Sequence, residues 1–369
     1  MKKPILMAVT AAFALALSAC ATNENTSSND TGTPGSTSGA SSLSGTINAG
    51  GSSAQTAAQE AWRAGFQAAN PNVTVNYDPT GSGTGRTNFT SGGYVLAGTD
   101  AAFTVDQASG PFAACASGSA LVEVPAYISP IAVVFTLNGI TSLNMDAATI
   151  AKIFSDQITN WNDPAIAALN PSATLPDLAI TPVHRSDDSG TTQNFTDYLA
   201  QAAPDSWTWP SAQTWPTTLT GEAAEKTQGV RETVMATSGA FGYIDASQAS
   251  GMGSVSVKVG DAYVAYSSQA AAAAVGQSPI ESGRAPTDVV VDLDRTTTST
   301  GVYPVVLVSY LAACQTYANA SDGTLVKAYL TYVTSSDGQQ AAADHAGSAP
   351  ISSDPDLAAK AIAAVNAIS

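Results

Sequence analysis

The sequence has little charge, and positive charge is the scarcest. Charged residues make up 11% of the 369 residues, against roughly 25% in a typical soluble domain. Thirteen Lys and Arg stand against 29 Asp and Glu, which gives a formal net charge of −16. Electrostatic binding to nucleic acid or to anionic lipid needs a basic surface. The composition therefore argues against both of these partners.

Histidine and long apolar runs are scarce too. Two histidines argue against a multi-histidine metal site, so we expect neither a metal nor a cofactor. Beyond the N-terminus, the best candidate for a membrane span is residues 302–313. This run contains a proline and has the length of a buried strand. Hydrophobic residues still make up 44% of the chain, which is enough for a globular core. At about 150 residues per domain, the 369 residues predict roughly two domains.

Residues 1–19 have the pattern of a secretory signal peptide. Two lysines follow Met1, an apolar run follows the lysines, and the segment ends in the letters LSAC at Cys20. This ending resembles a bacterial lipobox, which implies cleavage before Cys20 and a diacylglycerol on its thiol. The alternative is an ordinary secretory signal with an incidental cysteine. Residues 20–43 are rich in Ser, Thr and Gly, which predicts a flexible tether after the lipidated cysteine.

The chain has two further cysteines. With Cys20 assigned to lipid, Cys115 and Cys314 remain as an even pair in an oxidising compartment, which predicts a disulfide. The alternative is two buried thiols that never meet, because the sequence does not show how far apart they lie.

The mature chain begins with the pattern of a βαβ unit. A strand over residues 45–50 is followed by a helical period over residues 54–69 and by alternating residues 73–77. This order predicts an α/β fold with a parallel sheet.

Three short loops carry the polar groups with the clearest chemistry. Residues 50–53, 80–85 and 185–191 are rich in Gly, Ser and Thr, and each follows a predicted strand. Free N–H groups at a helix N-terminus bind anions, and Arg185 adds a fork suited to an oxyanion. Each loop alone could be an ordinary turn with a helix cap. Three such loops in one chain favour an anion site.

Longer segments make the assignment specific. Residues 161–171 read WNDPAIAALNP and residues 185–191 read RSDDSGT. With residues 50–62, 80–85, 98–101 and 239–243, they resemble the phosphate-binding proteins of phosphate-specific ABC transporters. The resemblance implies a two-lobed periplasmic-binding-protein fold of type II, in which each lobe is a mainly parallel sheet flanked by helices and the ligand lies in the cleft. The expected lobes are residues 44–131 with 266–369, and residues 132–265.

The resemblance also implies a set of phosphate-binding residues. Ser53 takes the place of the family's usual threonine, and Ala54 replaces a larger apolar residue whose backbone N–H points at phosphate. Asp100 accepts the proton of hydrogen phosphate, whereas sulfate has no proton to offer. The full expected set is Ser53, Ala54, Ser82, Asp100, Arg185, Ser189, Gly190 and Thr191.

The expected function is extracytoplasmic binding of inorganic phosphate by a monomeric lipoprotein of the bacterial cell membrane. Its partners are then the permease and ATPase subunits of an ABC importer. One alternative is another tetrahedral oxyanion, such as sulfate or a phosphate ester. The other is a secreted phosphatase or hydrolase, but Ser189 lies in Asp-Ser-Gly and not in a G-x-S-x-G elbow. We therefore expect a binding protein and not an enzyme, with His184 in a structural role.

Overall fold

A computed structural model describes residues 43–369. Residues 1–42, which carry the predicted signal peptide, Cys20 and most of the tether, lie outside this range. The strands within it are β1 (Gly45–Gly51), β2 (Val73–Asp78), β3 (Leu96–Thr99), β4 (Leu121–Phe135), β5 (Ser142–Met145), β6 (Thr181–Arg185), β7 (Glu222–Ala224), β8 (Ala240–Asp245), β9 (Gly253–Val259), β10 (Ala262–Val264) and β11 (Val306–Cys314). The α-helices there are α1 (Thr56–Ala69), α2 (Ser82–Ser91), α3 (Val105–Ala108), α4 (Ala147–Phe154), α5 (Pro164–Leu169), α6 (Gly190–Ala202), α7 (Lys226–Ala236), α8 (Ser268–Val275), α9 (Ala320–Thr334), α10 (Ser336–Ala346) and α11 (Pro355–Asn366).

The βαβ unit predicted at the start of the domain is confirmed. β1 pairs with β2 in parallel register, and α1 lies between them in sequence. The helical period buries Trp62 and Phe66 on the face of α1 that packs into the core.

The strands form a continuous sheet in the order β2-β1-β3-β11-β4-β8-β6-β7. The long strand β4 joins its two halves, because residues 121–130 pair with β11 and residues 131–135 pair with β8. Both pairings are antiparallel, whereas β1 with β2 and β3, and β6 with β7 and β8, are parallel. The expectation of mainly parallel sheets therefore holds for the outer strands and not for the centre. A continuous apolar run predicts a buried strand but not its direction.

Each half of the sheet has its own hydrophobic core. In the half that holds β1–β3 and β11, Phe66 packs edge-on against Tyr329 at 5.2 Å between ring centroids. In the half that holds β6–β8, Phe195 and Tyr243 stack at 4.3 Å. We call these halves the first lobe and the second lobe, which agrees with the expected two-lobed fold. The residue numbers predicted for the lobe boundaries stay predictions.

Two helices near the cleft differ from their sequence patterns. The sequence pattern predicts a helix over residues 194–203. α6 instead begins at Gly190, because Ser189 caps it by accepting a hydrogen bond from the N–H of Thr192 at 3.1 Å. The second predicted loop, residues 80–85, overlaps the start of α2 at Ser82, because Gly83 and Gly85 interrupt any apolar period there and hide the helix from the sequence pattern.

The predicted disulfide is confirmed. Cys115 and Cys314 are bonded with their Cα atoms 5.3 Å apart, and the bond ties the end of β11 to the loop after α3.

Among residues 43–369, none of the helices combines the length and the apolar character that crossing a membrane requires.

Candidate functional site

The first lobe brings two of the predicted loops and Asp100 to one edge of its sheet. β1, β2 and β3 are parallel, so the segments that follow them emerge on the same side. The N–H of Ser52 donates to the carbonyl of Gly98 at 2.8 Å, and the N–H of Gly81 donates to Gly51 at 2.8 Å. These backbone bonds fix the first and second loops beside the segment that carries Asp100.

The second lobe brings the third loop against the same edge. The N–H of Gly83 donates to the carbonyl of Asp188 at 3.1 Å across the cleft. Gly190, the first residue of α6, approaches the backbone of Asp100 so closely that a Cβ there would lie 2.7 Å from the nitrogen of Ala101. The two lobes therefore touch at the N-terminus of α6, and a glycine is required at the contact.

Asp100 is a buried acceptor surrounded by hydroxyl groups. Its side chain accepts hydrogen bonds from Ser52 at 2.6 Å, from Ser309 at 2.5 Å and from Thr191 at 3.4 Å. The N–H of Asp100 donates to the Ser82 hydroxyl at 3.2 Å. Burial raises the pKa of Asp100, although the hydroxyls and the charge of Arg185 oppose that shift. The carboxyl group is thus stabilised by neutral donors from both lobes.

Arg185 supplies the positive charge of the third loop. Its guanidinium is buried and forms a two-pronged ion pair with Asp187, at 2.7 Å from Nε and 2.5 Å from Nη2. Burial alone would raise the pKa of Asp187, but the hydrogen bonds and charge of Arg185 and the N–H of Lys226 outweigh it and lower that pKa. Asp187 therefore stays ionised and orients Arg185. No feature of the sequence pattern indicates this role of Asp187.

Ser189 and Thr191 frame the start of α6. The Ser189 hydroxyl accepts from the N–H of Thr192, and the N–H of Ser189 donates to the carbonyl of Gln213 at 3.1 Å. The Ser189 hydroxyl proton is left to be donated elsewhere. The positive end of the 13-residue helix α6 therefore faces the Asp100 carboxyl.

The first loop places its two serines differently. Ser53 is paired with Thr227 of the second lobe, with 2.9 Å between the hydroxyl oxygens and 3.1 Å from the Thr227 N–H. Ser52 contacts Asp100 instead and also accepts from the N–H of Ala54 at 3.1 Å. The chain bends just after β1, so two adjacent serines face different partners and only Ser52 faces the carboxyl group.

Three other contributors were missed by the sequence analysis. Ser309 lies on β11, 209 residues from the Asp100 that it contacts, and has no local motif around it. Arg86 donates to the carbonyl of Ala101 at 2.7 Å and to Gln213 of the second lobe at 2.7 Å. Asn194 donates to the carbonyl of Asp100 at 2.7 Å. Arg86 directly follows the glycine-rich second loop, and a lone arginine at that place is a sequence signal for a cleft residue.

His184 lies next to the site without reaching into it. Its ring stacks on Trp215 at 4.9 Å between centroids and 8° between planes, and Nδ1 lies 2.9 Å from the carbonyl of Arg185. Burial lowers the pKa of His184, so the imidazole is held neutral. These contacts agree with the structural role expected for it.

The part of the chain described here contains no group of three or more His, Cys, Asp or Glu side chains placed to hold a metal ion.

The domain is similar to known proteins over most of its length. A model of the PBP superfamily domain matches residues 36–337. The phosphate-binding protein PstS3 of Mycobacterium bovis is 35% identical over 330 residues, covering 87% of this chain and 88% of the relative. PstS2 of the same organism is 33% identical over 373 residues, covering 97% and 96%.

Solved structures show the same fold. A high-affinity periplasmic phosphate-binding protein (PfluDING), solved with bound phosphate, matches with a TM-score of 0.68 and 21% identity over 85% of this chain and 93% of that one. A phosphate-binding protein from Stenotrophomonas maltophilia matches with a TM-score of 0.62 and 19% identity over 87% and 94%.

Proposed function

Since this chain belongs to the PBP superfamily and, within it, to the family of PstS phosphate-binding proteins, we propose that it binds inorganic phosphate outside the cytoplasm and delivers it to an ABC importer. The observation that carries the proposal is the buried Asp100 carboxyl, which lies among hydroxyl donors of both lobes at the N-terminus of α6.

Phosphate recognition then rests on the groups that converge there. The N–H groups of Gly190 and Thr191 and the hydroxyls of Ser82, Ser189 and Thr191 donate to the phosphate oxygens. Arg185, held by Asp187, adds the positive charge. Ser52 takes the hydroxyl role that the resemblance gave to Ser53, because the Ser53 hydroxyl is bound to Thr227. Ser53 and Ala54 then contribute through the backbone of the first loop.

Asp100 selects the protonation state of the ligand. A hydrogen phosphate can donate its proton to the carboxylate, whereas sulfate carries no proton and would place two unpaired acceptors against each other. Because the chain carries a net charge of −16, long-range attraction does not draw anions to it. Affinity therefore comes from the local dipoles of the cleft.

The N-terminal sequence supports anchoring of the protein to the membrane, and the family supports the importer subunits as its partners. Acylated Cys20 holds the monomeric domain at the cell membrane through the tether, and the permease and ATPase subunits of the importer receive the phosphate. Replacing Cys20 by Ala is expected to release the protein from the membrane fraction while phosphate binding persists. Cell fractionation followed by immunoblotting checks this, and a variant that stays in the membrane pellet would contradict the lipid anchor.

Calorimetry on the purified domain with phosphate, arsenate and sulfate tests the function. We expect tight binding of phosphate and no binding of sulfate. Arsenate should also bind, because hydrogen arsenate carries a proton as hydrogen phosphate does. Equal affinity for sulfate and phosphate would overturn the proposal. A chromogenic phosphate ester added to the same protein should not be hydrolysed, and enzymatic turnover would favour a phosphatase instead.

A further inference from the structure

Asn194 joins the ligand-binding end of α6 to the backbone of Asp100. Its Nδ2 donates to the carbonyl of Asp100 at 2.7 Å and to the carbonyl of Gly190 at 2.9 Å. Its Oδ1 accepts from Nη2 of Arg295 at 2.6 Å. The side chain is 9% exposed, so all three bonds are shielded from water. Both amide protons are used, and the residue spans the two lobes.

Arg295 fixes which way the Asn194 amide points. It is 2% exposed, and its Nη1 donates to the carbonyls of Pro304 and Val306 at the start of β11, at 3.0 and 2.6 Å. Its Nε donates to Asp197 on α6 at 2.9 Å. A guanidinium only donates, so the atom of Asn194 that faces it must be the oxygen. The amide nitrogen must then face Asp100.

These contacts connect the elements that have to come together when the cleft closes. Asn194 and Asp197 lie on α6 of the second lobe, while Asp100 follows β3 of the first lobe. Arg295 lies on the segment that leads into β11, the strand that also supplies Ser309 to the Asp100 carboxyl. The chain of bonds from Val306 through Arg295 and Asn194 thus reaches the backbone carbonyl of Asp100, whereas Ser309 contacts its carboxyl group.

We propose that Asn194, oriented by Arg295, is a positioning residue that latches the closed cleft and holds Asp100 in the geometry that selects hydrogen phosphate. The proposal rests on the phosphate-binding function proposed above. Asn194 acts through Asp100, because its bonds go to backbone carbonyls. Its contribution is expected in the rate at which phosphate leaves and in the discrimination against sulfate.

A purely structural role for Asn194 makes a different prediction. Its bond to Gly190, four residues earlier, is a contact within α6 that would stabilise the helix with or without ligand. Loss of that bond would lower the melting temperature of the phosphate-free protein. Loss of the latch adds two effects that loss of helix stability does not predict, which are faster release of phosphate from the closed state and weaker discrimination against sulfate.

The test uses Asn194→Asp, with Gln193→Glu as the matched control. The first change replaces the donating nitrogen by an oxygen that repels the carbonyls of Asp100 and Gly190, yet it keeps an acceptor for Arg295. The second adds the same charge one residue earlier on α6, at a side chain that makes no hydrogen bond in the described part of the chain. The control therefore accounts for the repulsion between an added charge and phosphate.

Asn194→Asp is expected to weaken phosphate binding about 10- to 100-fold relative to Gln193→Glu, which is the range for a lost buried donor. Stopped-flow measurement should place most of this change in the dissociation rate. The sulfate-to-phosphate ratio of Kd values should fall. The phosphate-free melting temperature should fall as well, because Asn194→Asp also removes the bond to Gly190 within α6. A Kd or a dissociation rate within threefold of the control, or a sulfate-to-phosphate ratio equal to that of the control, would overturn the latch.

Arg295→Lys provides a second arm that does not depend on the folding of Asn194→Asp. Where both single variants fold, the double variant Arg295→Lys, Asn194→Asp completes a cycle. Lysine keeps the charge but loses the planar fork that orients the amide. The latch predicts that Arg295→Lys alone speeds phosphate release, and that the double variant is less impaired than the sum of the single changes. No change in release with Arg295→Lys, or strict additivity in the cycle, contradicts the proposal. Failure of the wild-type protein to bind phosphate would instead refute the proposed function.

Discussion

Arg185 and Arg284 both have buried side chains that form ion pairs, but they differ in how many N–H donors they have left for a ligand. Arg185 in the cleft uses Nε and Nη2 on a single carboxylate, that of Asp187. Arg284, which lines a cavity together with Asp100, uses Nε on Glu281, Nη1 on Asp288 and Nη2 on the carbonyl of Phe103. A guanidinium has five N–H donors in a rigid fork. Arg185 therefore has donors to offer a ligand, whereas all three nitrogens of Arg284 are bonded within the protein.

The carboxylates beside the two arginines differ in the same way. Asp100 is stabilised by the hydroxyls of Ser52, Thr191 and Ser309, which can turn toward another acceptor. Glu123 is fully buried, accepts from the N–H of Phe103 and lies beside the Asp288 carboxyl, which Arg284 pairs. Rotatable neutral donors suit a site that exchanges ligands, and fixed charges suit a site that holds segments together. Ion pairing by itself does not distinguish the two.

Removing Arg185 should produce the largest effect on binding. Arg185→Ala deletes the positive charge and leaves the Asp187 carboxylate unpaired near the ligand, so phosphate affinity should fall by about 4 kcal/mol, on the order of 10³-fold in Kd. Titration calorimetry measures it. An unchanged Kd would mean that Arg185 does not contact the ligand.

Removing Arg284 should affect folding and leave binding unchanged. Arg284→Ala strands the buried carboxylate of Asp288, whose side chain is 3% exposed, so the free energy of unfolding should drop by about 3 kcal/mol. Urea unfolding gives this value, and calorimetry on the folded variant should show a phosphate Kd within threefold of wild type. A loss of affinity comparable with that of Arg185→Ala would remove the distinction between the two arginines.

Neutralising Glu123 should have a smaller effect that depends on pH. Burial and the nearby Asp288 raise the pKa of Glu123 well above its usual value of 4.5. As the pH rises above 4.5, the unfolded chain releases this proton while the folded protein keeps it, so the free energy of unfolding falls. Glu123→Gln keeps an acceptor for Phe103 and cannot ionise, so its stability relative to wild type should improve by about 1 kcal/mol or more from pH 4.5 toward neutrality. Urea unfolding across that range checks the sign. A relative stability that worsens with rising pH would contradict the assignment.

Local sequence motifs predicted the site residues that lie at strand ends but not Ser309 and Arg295. Asp100, Arg185 and Ser189 each lie in a short motif at the end of a strand, where chain direction alone places them at one edge. Ser309 and Arg295 depend on the position of β11 in the sheet, which is fixed by pairing with β3 and β4 from distant parts of the chain. Such pairing leaves no periodic signal near either residue.

The first loop shows how a single residue of register can change the chemistry. Ser52 and Ser53 are equally plausible as hydroxyl donors in the letters GGSSA. The strand β1 ends at Gly51, and its register against β3 turns the Ser52 side chain toward Asp100 and the Ser53 side chain toward Thr227. Register depends on packing between strands, so the sequence pattern could locate the loop but could not assign its two hydroxyls.

Selectivity in Asp100→Asn tests the central claim most directly. The amide can still accept a hydrogen bond, does not repel an oxyanion and is close in size to the carboxyl group, so the fold should survive. Calorimetry with phosphate and sulfate on both proteins should show that the sulfate-to-phosphate ratio of Kd values falls on the order of 10²-fold in the variant, mainly through tighter sulfate binding. A variant that binds phosphate normally and excludes sulfate as strongly as the wild type would show that Asp100 does not select the ligand.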